Sequence, residues 1–485
     1  MRHAKDLVEK ASKLADALPF DQENREFDSL MSRVVFTAES VLDQTCQQGI
    51  EVAASDEEFR LYQDLVLFVS YYRFRERFQA TIQHSLSKPD DLAVGYYREF
   101  ERHWTKCWNP SHVKRESSYS CPHTFACLFM IRRAFHHIHE FIWGRSPEIQ
   151  TLRAQIWESI FTHDFRRFGL LLYDRMENVT TLVSGPSGSG KELVARAIGM
   201  SRYISFDPKA QAFREPFGGS FHPVNISALS PTLVESELFG HAKGAFTGAS
   251  SARHGWFYKC RPGHSVFLDE IGELSPAIQV KLLRVLQSRE FQRIGETKIH
   301  SFHGKLIVAS NRDLAKEIQE GTFREDLYYR ICSDVITTPS LARQLQSDPG
   351  QLLFFGERFA MKQLSNRDAA HEIACDTAAW VDSNLGQDYP WPGNFRELEQ
   401  CVWNVMIRKS YRPLRTKSTE AESLVNKLVR QQVPASDILA AYCLEIYQKT
   451  GSYAATAKII KLDQRTVKRN VERASHVTKA EALDS

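Results

Sequence analysis

The sequence predicts a multidomain protein with a helical N-terminal domain, a central α/β core followed by a helical segment, and a C-terminal helix-turn-helix. Apolar residues recur at helical spacing through the first 140 residues. After residue 180, short apolar runs typical of buried parallel strands alternate with helical stretches. The three runs are Thr181–Ser184, Val266–Asp269 and Leu306–Ser310. Three short helical patterns, the last of them basic, follow near the end of the chain.

The composition predicts a soluble, cytoplasmic protein without a membrane partner. With 485 residues, 42% of them hydrophobic, the chain has room for about three ordinary domains. The net charge of +3 means that any nucleic-acid surface must be local. Nine scattered cysteines without a CxxC pair favour reduced thiols over a disulfide framework. No stretch approaches the ~20 apolar residues of a membrane helix, and no apolar signal segment follows Met1.

In the N-terminal region, the spacing of apolar and aromatic residues from Phe59 to Tyr72 predicts helices whose aromatic rings form a core. Six histidines and cysteines fall close together, but their spacing fits no compact zinc motif, so we expect no metal site there. These residues are His103, Cys107, His112, Cys121, His123 and Cys127. The sequence identifies neither the signal that this region senses nor whether it represses or assists the rest of the chain.

A glycine-rich loop lies between the apolar run Thr181–Ser184 and an amphipathic helical stretch. This order predicts a P-loop, in which backbone N–H groups and a helix N-terminus bind phosphates and Lys191 reaches the outer ones. Glu192 stands where a Ser or Thr hydroxyl usually binds Mg²⁺. The candidate nucleotide-binding residues are Gly185, Pro186, Ser187, Gly188, Ser189, Gly190, Lys191 and Glu192.

Two adjacent carboxylates end the next apolar run, Val266–Asp269. An acid that binds the metal beside an acid that activates water is the arrangement that phosphoryl transfer to water needs. The sequence therefore predicts that Asp269 binds Mg²⁺ and that Glu270 is the catalytic base.

From these motifs onward, the chain resembles the bacterial enhancer-binding proteins, the AAA+ activators of sigma-54 RNA polymerase. The resemblance covers about residues 140–408 and extends to the C-terminal end. Its most diagnostic part is the stretch Glu235–Ala249. In the family the tip of this loop contacts the sigma factor, so we expect Phe246 and Thr247 to be exposed. The implied contact residues are Gly244, Ala245, Phe246, Thr247, Gly248 and Ala249.

The resemblance also implies roles for residues outside the P-loop. Asn225 would hold Glu270 in check, and Asn311 would lie near the γ-phosphate. Arg396 would face the nucleotide of its own subunit. Arg324 and Arg330 would reach the nucleotide of a neighbouring subunit, which implies a homo-oligomeric ring, expected to be a hexamer.

The implied domains are a helical regulatory domain at 1–140, an AAA+ α/β ATPase subdomain at 141–335, an AAA+ helical lid at 336–408, a linker at 409–435 and a DNA-binding helix-turn-helix at 436–485. Three features depart from the family pattern. Pro186 replaces a common acidic residue, Ser205–Gly219 is an insertion, and His303–Lys305 replaces the usual residues before a strand.

The last predicted helix follows Asp463, a residue suited to cap it. Its residue types are those that meet base edges and phosphates in a major groove, and we expect them to bind double-stranded DNA upstream of promoters. They are Gln464, Arg465, Thr466, Lys468 and Arg469.

Together these features predict an activator that uses ATP and Mg²⁺ to remodel sigma-54 RNA polymerase and open promoters. Two alternatives remain open. One is a DNA-binding regulator that uses ATP only as a switch, and the other is an AAA+ remodeller of a different substrate.

Overall fold

The computed structural model describes residues 25–48, 55–109, 117–247, 249–414 and 435–481. The chain divides into two compact units, one up to Ser410 and one from Tyr411. Gly248 and most of the predicted linker 409–435 lie outside the described residues. None of the described helices has both the length and the apolar character that crossing a membrane requires.

A five-stranded parallel sheet forms the centre of the first unit. Its strands are β1 Thr181–Ser184, β2 Phe221–Asn225, β3 Ser265–Asp269, β4 Lys305–Ser310 and β5 Asp334–Thr337. The strand order across the sheet is β5-β1-β4-β3-β2, and every neighbouring pair is parallel. The three predicted apolar runs are therefore confirmed as the adjacent strands β1, β4 and β3. Because parallel strands end at one edge of the sheet, the loops that follow these three strands meet there.

Helices precede the sheet, cover it and follow it. The N-terminal helices are α1 Arg25–Gln48, α2 Asp56–Ser87, α3 Tyr97–Cys107 and α4 Cys121–Phe141. Those of the α/β core are α5 Pro147–Phe161, α6 Lys191–Gly199, α7 Pro231–Phe239, α8 Pro276–Ser288, α9 Leu314–Gln319 and α10 Glu325–Ile331. After β5 come α11 Leu341–Ser347, α12 Gln351–Met361, α13 Arg367–Asn384 and α14 Asn394–Arg408.

Shorter elements complete the first unit. Its short helical segments are Phe165–Arg167, the π-helical Phe168–Leu172, Met176–Asn178, Trp256–Lys259 and Ile271–Glu273. Three antiparallel pairs join Phe206–Asp207 with Ala212–Phe213, Gly240–His241 with Arg253–His254, and Glu290–Gln292 with Ile299–Ser301.

The predicted aromatic core of the N-terminal helices includes part of the insertion Ser205–Gly219. The ring of Phe125 lies 4.7 Å from that of Phe206, and the ring of Phe129 lies 4.5 Å from that of Phe213. The insertion also forms backbone hydrogen bonds with the segment between α2 and α3, from Val94 N to Gln211 O at 2.8 Å and from Phe213 N to Leu92 O at 3.1 Å. The N-terminal helices and the α/β core thus pack around one apolar cluster.

The described histidines and cysteines of this region do not gather at one point. His103 Nε2 lies 3.1 Å from Ser70 Oγ, whereas His123 contacts Tyr203 Oη at 2.9 Å and Gly169 O at 2.7 Å. His112 lies outside the described residues. Within the described ranges, no group of three or more potential ligands could hold a metal ion.

The second unit contains three helices, α15 Ala435–Thr450, α16 Tyr453–Ile460 and α17 Gln464–Glu481. Their small core is built on Cys443, Val467 and Val471. The helix boundaries agree with the predicted helix, turn, helix, turn, helix pattern.

Candidate functional site

The loop between β1 and α6 has the backbone of a phosphate cradle. Gly185, Gly188 and Gly190 have φ values of +145°, +73° and +93°, which residues with a side chain rarely adopt. At Gly188 a Cβ would also meet Gly393 O at 2.4 Å. Because α6 begins at Lys191, its free N–H groups and the positive end of its dipole face this loop. This arrangement suits an anion.

Lys191 and two carboxylates share the inside of the loop. Lys191 is 7% exposed, and its Nζ donates to Gly185 O at 3.1 Å and to Pro186 O at 3.2 Å. Burial lowers the pKa of Lys191, while the nearby carboxylates of Glu270 and Asp269 oppose this shift. Burial raises the pKa of Asp269, and here Lys191 opposes the shift. A buried cation close to Asp269, a partly desolvated acid, is suited to hold a phosphate together with a metal ion.

Glu270 and Asn225 are arranged differently from the sequence-based expectation. Glu270 has a left-handed backbone, with φ of +58°, and its Oε2 accepts a hydrogen bond from Asn311 N at 3.4 Å. The Oδ1 atom of Asn225 accepts instead from the hydroxyl of Ser227 at 2.8 Å. The expected contact between Asn225 and Glu270 is therefore not the one adopted here. The Glu270 carboxylate lies on the β4 side of its strand, whereas Asn225 ends β2 on the opposite side.

The helical segment that follows the sheet closes over the loop. Asn394 Nδ2 donates to Ser187 O at 2.9 Å, and Phe395 N donates to Gly188 O at 3.1 Å. The guanidinium of Arg396 donates to Ser187 Oγ at 3.2 Å. The structure thus brings the predicted Arg396 to the P-loop. Two further contacts come from Asn394 and Phe395, which sequence reasoning missed because a single side-chain amide and a backbone N–H leave no pattern.

A cavity of about 420 Å³ lies beside the P-loop, Phe395 and Arg396, and its volume is within the range of small-molecule sites. The residues from Ser187 to Glu192 form its polar end together with Asp269, Glu270 and Arg396. Its other end is apolar and was not predicted, because it joins residues about 200 positions apart in the sequence. The apolar residues include Phe141, Ile142, Trp143, Ile149, Leu152, Phe355 and Phe359.

The glycine-rich loop Gly240–Ala249 rises from a base that is fixed on two sides. On one side Gly240–His241 pairs antiparallel with Arg253–His254. On the other side Ala242 N donates to Ile294 O at 2.9 Å, and Ile294 N donates to Gly240 O at 2.9 Å. The base of the loop is thus ordered by backbone hydrogen bonds.

The tip of this loop is only partly exposed. Gly244 N donates to Ala249 O at 2.8 Å, and Ala249 N donates to Phe246 O at 3.0 Å, which closes the turn. We expected Phe246 to be exposed, but the structure shows it half-buried. Its ring packs edge-on against His241, with the ring centroids 5.0 Å apart. Thr247 is exposed, as expected. At the tip of the loop, the side chain of Thr247 is thus more accessible to solvent than that of Phe246.

Residues 172–337 match the sigma-54 interaction domain family. The chain carries a sigma-54 interaction domain. Together with the parallel sheet, this match confirms the predicted AAA+ type of α/β core.

Curated relatives match just under half of the chain. Transcriptional regulatory protein ZraR of Escherichia coli is 44% identical over 228 residues, 47% of this chain and 47% of that protein. The Nif-specific regulatory protein of Herbaspirillum seropedicae is 46% identical over 223 residues, 46% of this chain and 37% of that protein. The chain thus spans less than half the length of each of these two relatives. NtrX of Brucella abortus in complex with ATP is a similar solved structure, with a TM-score of 0.40 and 23% identity over 79% of this chain and 82% of that one.

The two arginines predicted to act on a neighbouring subunit lie on the surface of the sigma-54 interaction domain. Arg324 immediately precedes α10, and its guanidinium forms two hydrogen bonds with Asp326, at 3.0 and 2.7 Å. Arg330 is exposed in the last turn of α10. Neither is among the described residues that line the cavity of their own chain.

Outside the sigma-54 interaction domain, the N-terminus of α17 has the predicted cap. Asp463 Oδ1 accepts from Arg465 N at 3.0 Å and from Thr466 N at 2.8 Å, while the Thr466 hydroxyl donates to Asp463 Oδ2 at 2.5 Å. The hydroxyl of Thr466 therefore serves the cap. The other four predicted DNA-binding residues are exposed, and they are Gln464, Arg465, Lys468 and Arg469.

Proposed function

We propose that this chain is a transcription activator that hydrolyses ATP to remodel sigma-54 RNA polymerase and open promoters. One observation carries the proposal. A cavity between the P-loop and the helical lid lies within the same chain as a glycine-rich loop whose Thr247 is exposed in a sigma-54 interaction domain. ATP binding and hydrolysis in the cavity would supply the energy for movement of the glycine-rich loop.

The residues of the cavity fit ATP. The N–H groups of the P-loop and Lys191 bind the phosphates, and the apolar end accommodates the base. Asp269 is the candidate ligand for Mg²⁺, which when bound neutralises phosphate charge. Glu192 is not needed for this, since its carboxylate pairs with Arg196 at 2.9 Å. Glu270, adjacent to Asp269, orients and deprotonates the attacking water.

The surface positions of Arg324 and Arg330 support action across a subunit interface. A guanidinium that reaches the phosphates of a neighbour completes that site only after assembly. We therefore propose a homo-oligomeric ring, expected to be a hexamer. The exposed cationic face of α17 supports binding to double-stranded DNA upstream of the promoter.

Steady-state ATP hydrolysis tests the enzymatic part of the proposal. Glu270→Gln should abolish hydrolysis while ATP still binds, because the amide cannot accept the proton of water. Glu290→Gln, which changes an exposed carboxylate of the same α/β core that does not line the cavity, is the control and should remain active. A wild-type protein that binds ATP without hydrolysing it would instead favour a DNA-binding regulator that uses ATP as a switch.

A substitution in the glycine-rich loop tests whether sigma-54 RNA polymerase is the protein that is remodelled. Thr247→Ala should keep ATP hydrolysis and lose both sigma-54 engagement and open-complex formation, because it removes the exposed hydroxyl of the tip. Ser250→Ala, an exposed hydroxyl three residues further on, is the control. Normal promoter opening by Thr247→Ala would favour an AAA+ remodeller of another substrate.

A further inference from the structure

Helix α4 extends from the N-terminal aromatic cluster to the candidate nucleotide cavity. Its first half contributes Phe125 and Phe129 to the aromatic cluster. Its second half, which includes Ala134, is buried in a different cluster with residues of β1 and α6. Its last residues, Glu140 and Phe141, line the cavity. The predicted domain boundary at residue 140 thus coincides with the end of a helix that packs on both sides of it.

Arg133 connects α4 with the segment that directly follows the P-loop helix α6. Its guanidinium donates to Arg202 O at 3.1 Å and also to Met200 O. Both carbonyls lie just beyond the end of α6 at Gly199. Arg133 is 1% exposed and lies over the ring of Phe217 at 5.0 Å, and burial lowers its pKa to about 9.

A buried guanidinium in this position has a defined physical effect. The carbonyl end of a helix carries partial negative charge, so a cation placed there stabilises both the helix and its position. Helix α6 has nine residues, about 13 Å at 1.5 Å per residue, and its other end is Lys191 in the P-loop. A shift of the carbonyl end therefore moves Lys191 as well. Along the helix, the Phe141 ring lies 5.9 Å from the Arg196 guanidinium, which adds a second contact.

We propose that Arg133 is a positioning residue for the nucleotide site: it holds α6 by its carbonyl end and thereby makes the N-terminal helical region a required part of ATP binding. This inference rests on the nucleotide site proposed above. It implies that the N-terminal region assists the ATPase core and that a signal received there reaches the P-loop along α4.

The test uses the full chain and a fluorescent, non-hydrolysable ATP analogue. Arg133→Met keeps an unbranched apolar stem but removes the charge and both hydrogen bonds, and we expect the affinity to fall about tenfold, or about 1.4 kcal/mol. Arg133→Lys keeps the charge with fewer directed donors and should lie between wild type and Arg133→Met. The KM for ATP should rise more than kcat changes, because ground-state binding is what is lost.

Arg132→Met is the matched control, because Arg132 belongs to the same helix but donates to Gln79 Oε1 at 2.9 Å within the N-terminal region. Unchanged affinity in the Arg133 variants, or an equal loss in Arg132→Met, would overturn the positioning role. If Arg133→Met does not fold, Arg133→Lys decides, and wild-type affinity in that variant overturns the proposal. A wild-type chain that does not bind the analogue refutes the proposed function as well, whereas normal binding by the Arg133 variants refutes only the positioning role.

Discussion

Replacing Gly188 by alanine should detach the helices α11–α14, the proposed lid, from the P-loop, whereas the same change two residues later should not. A Cβ at Gly188 would meet Gly393 O at 2.4 Å, and the left-handed φ of +73° is strained for any side chain. A Cβ at Gly190, where φ is +93°, would meet only Leu193 Cδ1 at 3.8 Å. The two substitutions therefore share the backbone strain and differ in the clash.

The difference in stability follows from the contacts that the clash disrupts. A left-handed backbone destabilises an alanine by about 1–2 kcal/mol, which applies to both variants. The backbone oxygen of Gly393 must move away in Gly188→Ala, and the neighbouring residues Asn394, Phe395 and Arg396 make three hydrogen bonds with the P-loop. At about 1 kcal/mol each, their loss adds about 3 kcal/mol. We expect a total of about 4–5 kcal/mol for Gly188→Ala and about 1–2 kcal/mol for Gly190→Ala.

The assay is urea-induced unfolding of both variants without nucleotide, combined with limited proteolysis of the lid. Gly188→Ala should unfold at lower urea concentration than Gly190→Ala and should release lid fragments earlier. Equal destabilisation of the two variants, with equal protection of the lid, would refute the inferred contact between lid and P-loop.

Three further predictions concern other parts of the chain. Burial lowers the pKa of Lys305 to about 7, so above this pH the unfolded chain binds more protons than the folded chain, and the folded state loses stability as the pH falls towards 7. The test is urea-induced unfolding between pH 7 and 9. With rising pH, the free energy of unfolding of the wild type should increase relative to that of Lys305→Met by up to about 1.4 kcal/mol per pH unit. Asp463→Ala should destabilise the second unit by about 1 kcal/mol, seen as a lower helix melting temperature. A variant that begins at Phe141 should aggregate or melt lower than the full chain in light scattering and thermal unfolding, because it exposes the surface that α4 covers.

The catalytic end of the candidate site could be predicted from the sequence because each part is local. The apolar runs that became β1, β3 and β4 each end next to a residue with phosphate or metal chemistry, and parallel strands bring their ends together. Two local motifs, the P-loop after β1 and the acidic pair after β3, therefore predicted the positions of Lys191, Asp269 and Glu270 relative to the sheet.

The parts that could not be predicted depend on pairing between distant segments or on a single backbone angle. The apolar end of the cavity joins α5 with α12, and no periodicity connects those segments. The contact of Glu270 with Asn311 rather than Asn225 follows from its left-handed φ, which a strand pattern does not specify. The packing of Phe246 on His241 likewise depends on the fold of the loop base.

Two of the departures from the family pattern lie close to the N-terminal helices or to residues that contact them. The insertion Ser205–Gly219 pairs with and packs against the N-terminal helices. Lys305, at the third departure, is buried beside Arg202, whose carbonyl accepts from Arg133. The Nζ of Lys305 donates to Val179 O at 2.8 Å. Two of the three departures thus lie where the N-terminal region joins the core, while Lys191, Asp269 and Glu270 keep the family pattern. On the role proposed above for Arg133, a signal received by the N-terminal region would pass through this junction to the P-loop.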